Sequence, residues 1–528
     1  MFWADAITES ILAEPRFKDK RPLLIRDEKT ASGRVHIGSM RGVTVHGLIA
    51  EALAERKVPH HFIWETNDFD PMDGLPAYLD EQTFRPHMGK PLNTVPSPQP
   101  GFENYAEYFG QEFEQVITDT GFFPEFTRTS ALYASGRMNE VIRTALQKAE
   151  RIREIYREVS GSEKEAAWLP LSAICERCGA IGTTRATSFD GEKVLYTCEP
   201  KAVEWALGCG HAGAVSPFDG RAKLPWKVEW AAKWKALGVD IEGAGKDHFT
   251  KGGARDVAER ISREVYGYEP PFDIHYEFFL VGGKKMSSSK GRGASARDIA
   301  DVVPPKILRL ALIEKEPRQA IDFDPEGDTI PVLFDRYDEL SRRYFDGAQD
   351  DYRRLFHFSH PKEPDGSRTI IRAFPVRFSQ AAFIVQMPHL DLLTEAEKMK
   401  GSPLDENDRA ETELRADYAK RWLAAYAPED FKFELQKELP IAAARFSPEQ
   451  KKALAEVIRY IEVNGKLDGQ ELHTKLHEIR KESGIEAKDF FSALYLAFLG
   501  KPSGPKAGWF LSVLPREFLT GRLQEAVR

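Results

Sequence analysis

The residues from 30 to 42, "TASGRVHIGSMRG", combine types suited to binding a phosphate. Gly33 permits a tight turn, and Gly38 lets a ligand approach the backbone because it has no Cβ. His36 can donate a hydrogen bond to a phosphate oxygen in a transition state. A histidine at the start of a helix is often only a cap or a packed side chain, so this segment needs a second element to support it.

A second candidate is the polar segment "KKMSSSKGRG", residues 284–293. Its lysines, Lys285 and Lys290, are separated by small hydroxyl residues that can hydrogen-bond phosphates and keep a loop mobile. Such a segment can also be an ordinary solvated turn. Together with the histidine segment, however, it predicts that two distant parts of the chain close over one triphosphate.

The cysteines form a third candidate site, because all four in the chain lie between residues 175 and 209. Cys175 and Cys178 form a CxxC pair, and Cys198 and Cys209 follow, with glycines nearby. Four thiolates make a closed tetrahedral zinc site, which is structural because no position remains open for catalysis. A redox role for the CxxC pair is less consistent with four clustered cysteines. His211 is an alternative metal ligand that could replace one of the cysteines. We predict structural Zn²⁺ held by the four cysteines.

The elements around the histidine segment predict how it is positioned. The strand-like "RPLLIRDE" precedes it, and apolar residues from Val45 to Leu53 recur at helical spacing after it. A strand, a glycine loop and a helix in this order lie at the carboxyl edge of an open parallel sheet, where free N–H groups at the helix start attract anions.

The rest of the chain predicts one interrupted nucleotide-binding domain and a helical tail. "HHFIWETND" resembles a second parallel strand, whereas the proline-rich segment after residue 84 suggests that the chain leaves the sheet. A helix is expected from Pro304-Pro305 through "KILRLALIE", and further helices are expected beyond residue 350, one capped by Ser447 and Gln450 and one closed by Gly500. The predicted domains are 1–83 and 216–300 (two halves of the catalytic domain), 84–215 (an insertion), 301–350 (linker helices) and 351–528 (a helical domain).

Composition sets limits on the class of protein. A chain of 528 residues is long enough for several domains, and its formal charge of −8 means that a nucleic acid would meet a local basic patch. The sequence has no segment typical of a signal peptide or a membrane span, so the cytoplasm is expected.

The flanking sequence carries a family resemblance. "HIGS" and "KMSSS" resemble the HIGH and KMSKS signatures of class I aminoacyl-tRNA synthetases, with Ser39 and Ser288 at the fourth positions. "NDFDPMDGLP", "GKPLNTVPSP", "CERCG", "LPWKVEWAAKWKALGVDIEGAGKDH" and "FDIHYEFFLVGGKKMSSSKG" are similar to the class I lysyl-tRNA synthetase family. The resemblance is firm to about residue 325 and looser in the tail.

The resemblance implies a fold and a reaction. The fold is α/β, with a class I synthetase Rossmann-type catalytic domain, an inserted zinc-ribbon-containing connective domain and an all-α C-terminal anticodon-binding domain. The reaction would use ATP with Mg²⁺ to form lysyl-adenylate, and then transfer lysine to the 2′-OH of the terminal adenosine of tRNA(Lys). The partners implied are tRNA(Lys), lysine and ATP, with no membrane and no DNA, and we expect a monomer.

The resemblance also assigns residues. The catalytic residues would be His36, Lys285 and Lys290. The ATP-binding residues would be Ser32, Gly33, His36, Gly38, Gly245, Asp247, Lys285, Met286, Ser287, Ser288 and Ser289. The lysine-binding residues would be Thr30, Asp68, Asp70, Trp226, His248 and Tyr276. Glu28 stands where the family often has glycine, so this edge of the amino-acid pocket is expected to differ.

Several of these residues have a structural alternative. Trp226, Trp230 and Trp234 recur at helical spacing and could all be core residues. Tyr276 could point into the sheet, and Asp68 or Asp70 could cap a turn. Three rival functions stay open: a glutamate-specific class I synthetase, which would need a cation such as Arg26 for its substrate, a nucleotidyltransferase acting without RNA, and a non-catalytic tRNA-binding paralogue.

Overall fold

A computed structural model describes residues 1–283, 294–465 and 467–528. The strands are β1 (Leu23–Thr30), β2 (His60–Asn67), β3 (Glu125–Arg128), β4 (Ser172–Ala173), β5 (Thr184–Phe189), β6 (Val194–Cys198), β7 (Ala212–Val215), β8 (Ala222–Lys223), β9 (Ala244–Gly245), β10 (His275–Tyr276), β11 (Phe279–Val281) and β12 (Ile321–Phe323).

Helices make up most of the remaining regular structure. In chain order they are α1 (Trp3–Ala13), α2 (Met40–Glu55), α3 (Glu81–Phe84), α4 (Tyr105–Asp119), α5 (Thr129–Ala134), α6 (Asn139–Gln147), α7 (Ala149–Ser160), α8 (Trp226–Leu237), α9 (Ala254–Glu264), α10 (Ala296–Val302), α11 (Pro305–Ile313), α12 (Thr329–Phe345), α13 (Asp351–Ser359), α14 (Phe378–Ile384), α15 (Leu392–Lys400), α16 (Glu406–Ala425), α17 (Pro448–Val463), α18 (Gly469–Ser483), α19 (Ala487–Leu499), α20 (Ala507–Ser512) and α21 (Arg516–Val527).

The chain divides into two compact units. The first comprises residues 1–324 and 336–370, and the second comprises 325–335 and 371–528. No helix among the described residues combines the length and the apolar character needed to cross a membrane.

The first unit contains the predicted parallel sheet. β1 pairs in parallel with β2, and β2 pairs in parallel with β3. On the other side of β1, Ile241 forms parallel bridges with Ile25 and with Phe272, and β9 and β10 continue in parallel from these two points. The order in which the chain adds strands to the sheet therefore reverses at β1, with β2 on one side of β1 and the segment around Ile241 on the other.

One part of the sheet differs from the sequence prediction. The sequence predicts residues 84–215 outside the sheet, whereas β3, within that range, returns to pair with β2. The reason is local: β3 has only four residues, "EFTR", and none of them is fully buried. Such an edge strand lacks the apolar run by which sequence patterns reveal a buried strand. The chain then continues to β5, β6 and β7, which form a separate antiparallel sheet, and the four cysteines lie in β6 and in the segments beside these strands.

The second unit is helical where it is described after residue 371. α17 starts with the predicted capping box between Ser447 and Gln450, and α19 ends at Gly500 in a left-handed conformation, so both predictions are confirmed. Its core includes Val457, Phe498 and further apolar residues of α17 to α21. In the first unit, the predicted helix after Pro304 is confirmed as α11, which has Pro305 at its first position.

Candidate active site

The predicted site residues come from strand ends that share one edge of the sheet. Thr30 ends β1, Gly245 ends β9 and Tyr276 ends β10, and all these strands run parallel. The strand order reverses between β1 and β9. Ligands of open α/β sheets bind in the crevice at the point where the strand order reverses. The topology alone therefore brings together residues that are more than 200 positions apart.

A cleft of about 370 Å³ lies at this edge, beside the histidine segment. The residues predicted for ATP that line it are Ser32, His36, Gly38, Gly245 and Asp247. Gly33 has a φ of 152°, in the range where only glycine is unstrained, and it turns the chain from β1 towards His36. His36 stands directly before a short 3₁₀ turn that leads into α2, as the sequence pattern indicates.

Sequence reasoning missed other residues of the same cleft. Lys29, Arg41 and Glu277 also line it. Arg41 is 1% exposed, and its guanidinium donates to the carbonyl oxygens of Lys315 (3.1 Å) and Glu316 (2.6 Å). Burial lowers the pKa of Arg41 to about 10. Lys29 directly precedes the quoted segment and Arg41 lies within it, so their closeness to His36 in the sequence is the signal that could have found them.

The predicted residues Lys285, Met286, Ser287, Ser288, Ser289 and Lys290 lie outside the described residues. The chain on both sides of that range, however, adjoins the histidine segment. Phe279 of β11 lines the cleft with His36. After the range, the Ile37 amide donates to the carbonyl oxygen of Ala294 (3.2 Å), and the Ala296 amide donates to the Val35 carbonyl oxygen (2.8 Å).

Arg34 adds a side-chain link at the same place. Its guanidinium pairs with Glu112 of α4 at 3.1 Å and with Asp298 of α10 at 3.0 Å. Its backbone amide also donates to the hydroxyl of Tyr78 (2.7 Å). The turn that carries His36 is thus held by α4 on one side and by the helix following residues 284–293 on the other.

A second cavity, of about 240 Å³, adjoins the cleft and shares Glu28, His248 and Tyr276 with it. Thr30 and Trp226, both predicted to bind lysine, line it as well. The Trp226 ring stacks on Trp230 with centroids 5.8 Å apart, and the His248 ring lies 5.7 Å from that of Trp226. The cavity therefore presents aromatic surface to whatever occupies it.

The three tryptophans of α8 have different environments. Trp226 is 47% exposed and lines the cavity, Trp230 is half-buried, and Trp234 is fully buried. The indole N–H groups of Trp230 and Trp234 donate to the carboxylate of Glu242 at 2.6 and 2.9 Å. Helical spacing could not separate these environments, because they depend on which side of α8 meets the core.

The two predicted aspartates also differ. Asp70 accepts a hydrogen bond from the Thr30 hydroxyl (2.7 Å) and pairs with Lys223 at 2.9 Å. Together with Thr30 and Trp226, it lines a further cavity next to the second one. Asp68 is buried, and it accepts hydrogen bonds from the backbone and side chain of Ser130 at the start of α5. These contacts favour the capping alternative for Asp68.

Tyr276 lines both the His36 cleft and the second cavity. Burial, with a contribution from the carboxylate of Asp27, raises the pKa of its hydroxyl, which therefore stays protonated and can donate. Gly42 on α2 makes room for this arrangement. A Cβ there would lie 2.7 Å from the Asp27 carboxylate and 2.8 Å from the Tyr276 hydroxyl.

Beneath the cavities, Arg26 is completely buried among carboxylates. It pairs with Glu28, with Glu65 at 2.7 Å and with Glu242 at 3.1 Å. Burial alone would lower the pKa of Arg26, but these three glutamates raise it overall. The guanidinium is therefore charged and fully engaged.

Lys233 of α8 continues this network. It is also completely buried, and it pairs with Glu65 at 2.7 Å, Glu28 at 3.0 Å and Glu229 at 3.5 Å. Glu229 in turn pairs with Lys223 at 2.6 Å. Burial alone would raise the pKa of Glu28, but Lys233 and Arg26 lower it overall, so this carboxylate is ionised.

The formal charges of this network do not balance. Its cations are Arg26, Lys223 and Lys233, and its carboxylates are Glu28, Glu65, Asp70, Glu229 and Glu242. Three positive groups therefore face five negative ones, a formal charge of −2 beside the second cavity. Buried charge that is not paired internally favours a ligand of opposite sign.

The four cysteines come together away from this cleft. Their sulfur atoms all lie within 4.8 Å of one another. The Sγ atoms of Cys175 and Cys209 are 3.6 Å apart, and those of Cys178 and Cys198 are 3.7 Å apart. A tetrahedral Zn²⁺ with Zn–S bonds of about 2.3 Å requires sulfur separations of about 3.8 Å. The donor set and its geometry therefore fit zinc.

A parallel sheet whose first loop carries the histidine segment, followed by a helical unit, is the arrangement that the resemblance to class I aminoacyl-tRNA synthetases implies. The family model described as tRNA synthetases class I (K) matches residues 1–362, and the model described as anticodon binding domain matches residues 424–527. The chain belongs to the class I tRNA synthetases (K).

Relatives are similar over their whole length. A lysine–tRNA ligase of Methanosarcina barkeri is 34% identical, over 99% of this chain and 97% of the relative. Lysine–tRNA ligase 1 of Methanosarcina acetivorans is 35% identical, over 100% and 98%. Among solved structures, a glutamate tRNA ligase from Elizabethkingia meningosepticum is 12% identical with a TM-score of 0.42, over 96% of this chain and 99% of that one.

Proposed function

We propose that this chain attaches lysine to tRNA(Lys) in two steps. Lysine and ATP first give lysyl-adenylate and pyrophosphate, and the lysyl group then passes to the 2′-OH of the terminal adenosine of the tRNA. The observation that carries the proposal is that the His36 cleft opens beside an aromatic cavity with an excess of carboxylates. This arrangement suits a phosphate donor next to a cationic amino acid. The family of the chain and the names of its relatives agree with it.

The ATP would bind in the His36 cleft. His36 would donate to the phosphates as charge develops on the leaving pyrophosphate, and Ser32, Gly38, Gly245 and Asp247 would surround the nucleotide. Lys285 and Lys290 would neutralise the pyrophosphate, with Lys290 contributing in place of the lysine that Ser288 replaces. Mg²⁺ would accompany the ATP and offset charge on its phosphates. Positioning and charge stabilisation would supply the rate.

Lysine would occupy the second cavity. Thr30, Trp226, His248 and Tyr276 line it, with Asp70 next to Thr30. A lysine substrate carries two ammonium groups, and the network below has a formal charge of −2. Aromatic faces and carboxylates are the two environments that attract an ammonium.

The glutamate alternative would require a cation able to pair with a carboxylate substrate. Arg26 is the candidate, but it is buried and already paired with three glutamates. Lys223 and Lys233 are likewise buried and paired with carboxylates. These three cations are therefore not available to a second substrate carboxylate, and the network that holds them has a net negative formal charge, which disfavours the side chain of glutamate relative to that of lysine.

Zn²⁺ at the cysteines would be structural. As thiolates bound to the ion, the four cysteines would hold together the chain between β4 and β7, and the separations of their sulfur atoms suit tetrahedral coordination without an open position. The proposed zinc-ribbon insertion would stabilise the part of the chain that passes beside the lysine cavity. A monomeric state and the finer domain boundaries stay predictions.

One assay tests the proposal against all three rivals. ATP/pyrophosphate exchange is measured for the purified chain with each amino acid, with and without tRNA. Exchange with lysine, together with charging of tRNA(Lys), is the expected result. Exchange with glutamate would identify the rival synthetase. Exchange with no amino acid but with another small-molecule acceptor of the adenylyl group would favour a nucleotidyltransferase, and no exchange with any acceptor would favour a non-catalytic paralogue.

A further inference from the structure

A row of four aromatic side chains crosses the surface of the second unit. It consists of Trp509 of α20, His473 and His477 of α18, and Phe491 of α19, and is called the aromatic row below. The ring centroids of Trp509 and His473 are 5.3 Å apart, those of His473 and His477 4.8 Å, and those of His477 and Phe491 4.9 Å. Each ring thus contacts the next across three helices.

Two glycines hold Trp509 against α18. A Cβ at Gly469 would lie 2.8 Å from the Trp509 ring, and a Cβ at Gly508 would lie 2.4 Å from the His473 amide nitrogen. Both contacts are too short for any side chain, so α20 can approach α18 this closely only because these residues are glycines. The indole is therefore held in place from below while 38% of the residue remains exposed.

The row is accessible and has basic residues around it. His473, His477 and Phe491 are half-buried, which leaves part of each side chain open to solvent. The ammonium of the exposed Lys506 lies 5.3 Å from the Trp509 ring centroid. Arg480 follows His477 by three positions on α18, so it lies on the same face of that helix.

His473 is suited to stacking without charge. Burial, together with the neighbouring His477 and Lys506, lowers the pKa of its imidazole. At neutral pH the ring is uncharged and presents an aromatic face. The positive charge of the patch is then contributed by Lys506 and Arg480 at its edges.

We propose that the aromatic row stacks with unpaired bases of the tRNA anticodon loop, while Lys506 and Arg480 contact its phosphates. Unstacked RNA bases are recognised by stacking on aromatic side chains with nearby Arg or Lys, which is the combination present here. A protein partner would be expected to cover an apolar patch, whereas two of these four rings are imidazoles and Lys506 lies against Trp509. The row lies within residues 424–527, which match an anticodon binding domain. The inference rests on the proposed function and adds the residues that contact the RNA.

The first test uses the unaltered full chain. A short stem–loop RNA carrying the anticodon UUU is made with 5-bromouridine at each anticodon position, and photocrosslinked peptides are identified by mass spectrometry. Crosslinks to Trp509, His473, His477 or Phe491 are expected. Crosslinks confined to other peptides, or none, would overturn the proposal.

The second test uses variants and the Kd of the same stem–loop. Trp509→Ala is expected to raise Kd at least about tenfold, because stacking of one base on an aromatic side chain contributes that much or more. Trp509→Phe should restore most of the binding, and Lys506→Gln should raise Kd several-fold. Lys420→Gln, at an exposed lysine of α16, a helix that packs against α14 and α15, is the matched control and should bind as the unaltered chain does.

The outcomes separate this inference from the proposed function. If the unaltered chain charges tRNA(Lys) but Trp509→Ala leaves the Kd and the KM for tRNA unchanged, the aromatic row is not the anticodon contact and the proposal is overturned. If the unaltered chain does not charge tRNA(Lys), the proposed function itself fails. Should Trp509→Ala unfold, the crosslinks and the comparison of Lys506→Gln with Lys420→Gln still decide the question.

Discussion

The backbone amide of Ile37 donates a hydrogen bond to the carbonyl oxygen of Ala294, 3.2 Å away. Ile37 follows His36 directly, and Ala294 directly follows the segment that carries Lys285 and Lys290. With the Arg34–Asp298 ion pair at 3.0 Å, this bond holds the chain that follows residue 293 against the turn that carries His36. We expect the two candidate phosphate-binding segments to act on one nucleotide, which leads to the first prediction.

His36→Ala should lower the rate of ATP/pyrophosphate exchange about a hundredfold or more. Loss of one donor aimed at transition-state charge typically has an effect of this size. Binding of lysine, measured separately, should survive, because His36 lines the cleft and not the second cavity. His61→Ala, at an exposed position on β2, is the control. Near-normal exchange by His36→Ala would refute the role.

Trp226→Ala should raise the KM for lysine about tenfold and leave the KM for ATP nearly unchanged. The substitution removes an aromatic ring whose face can attract an ammonium group of lysine and can pack against the aliphatic part of its side chain. Steady-state exchange at varied lysine checks this, and Trp226→Phe should recover much of the affinity because it keeps a ring. An unaltered KM for lysine in the alanine variant would mean that the substrate binds elsewhere.

The purified chain should contain about one equivalent of zinc. Cys198→Ser should reduce the zinc content and the temperature of unfolding, because a structural zinc site contributes directly to folding. His211→Gln should keep its metal if all four ligands are cysteines, and it serves as the matched variant. A zinc content below about half an equivalent would contradict the site.

Arg26→Met should destabilise the first unit by about 3–5 kcal/mol, because it leaves several buried carboxylates without their shared partner. Chemical denaturation measures the change in the free energy of unfolding. The control is Arg263→Met, whose side chain is 47% exposed and whose ion pairs lie at the surface of α9. Arg263→Met should lower the free energy of unfolding by less than about 1 kcal/mol. An equal loss in the free energy of unfolding for the two variants would mean that Arg26 does not stabilise the buried carboxylates as a shared partner.

Protonation of His360 should make the free energy of unfolding depend on pH. Burial lowers its pKa to about 4, and the ring lies between the Tyr337 hydroxyl (2.9 Å) and the Phe356 carbonyl oxygen (2.8 Å). The unfolded chain takes up a proton near pH 6.5 and the folded chain only near pH 4. Stability is therefore lost as pH falls from about 6.5 to 4, by at most about 1.4 kcal/mol per pH unit.

The measurement for His360 is the free energy of unfolding at pH 7 and at pH 5. The unaltered chain should lose more stability between these values than His360→Gln does. His61→Gln, at an exposed position, should behave like the unaltered chain. A pH dependence that His360→Gln leaves unchanged would assign the loss to other groups.

Local features of the site and fold were accessible from the sequence because they depend on neighbouring residues. The glycine turn before His36, the CxxC pair, the Ser447 capping box and the Gly500 helix end each follow from a few adjacent positions. The family was accessible for a related reason, since its motifs are contiguous segments. Those features needed no knowledge of which elements pack together.

Tertiary structure alone decided which charges meet and which rings are exposed. Arg26, Glu65 and Lys233 are widely separated along the chain, and no pattern indicated that they share one buried network. Helical spacing likewise could not say that Trp226 would line a cavity while Trp234 would be buried, nor that Asp68 would bond to Ser130. The physical reason is that burial and charge pairing depend on contacts between distant segments, whereas turns, caps and motifs depend on the chain nearby.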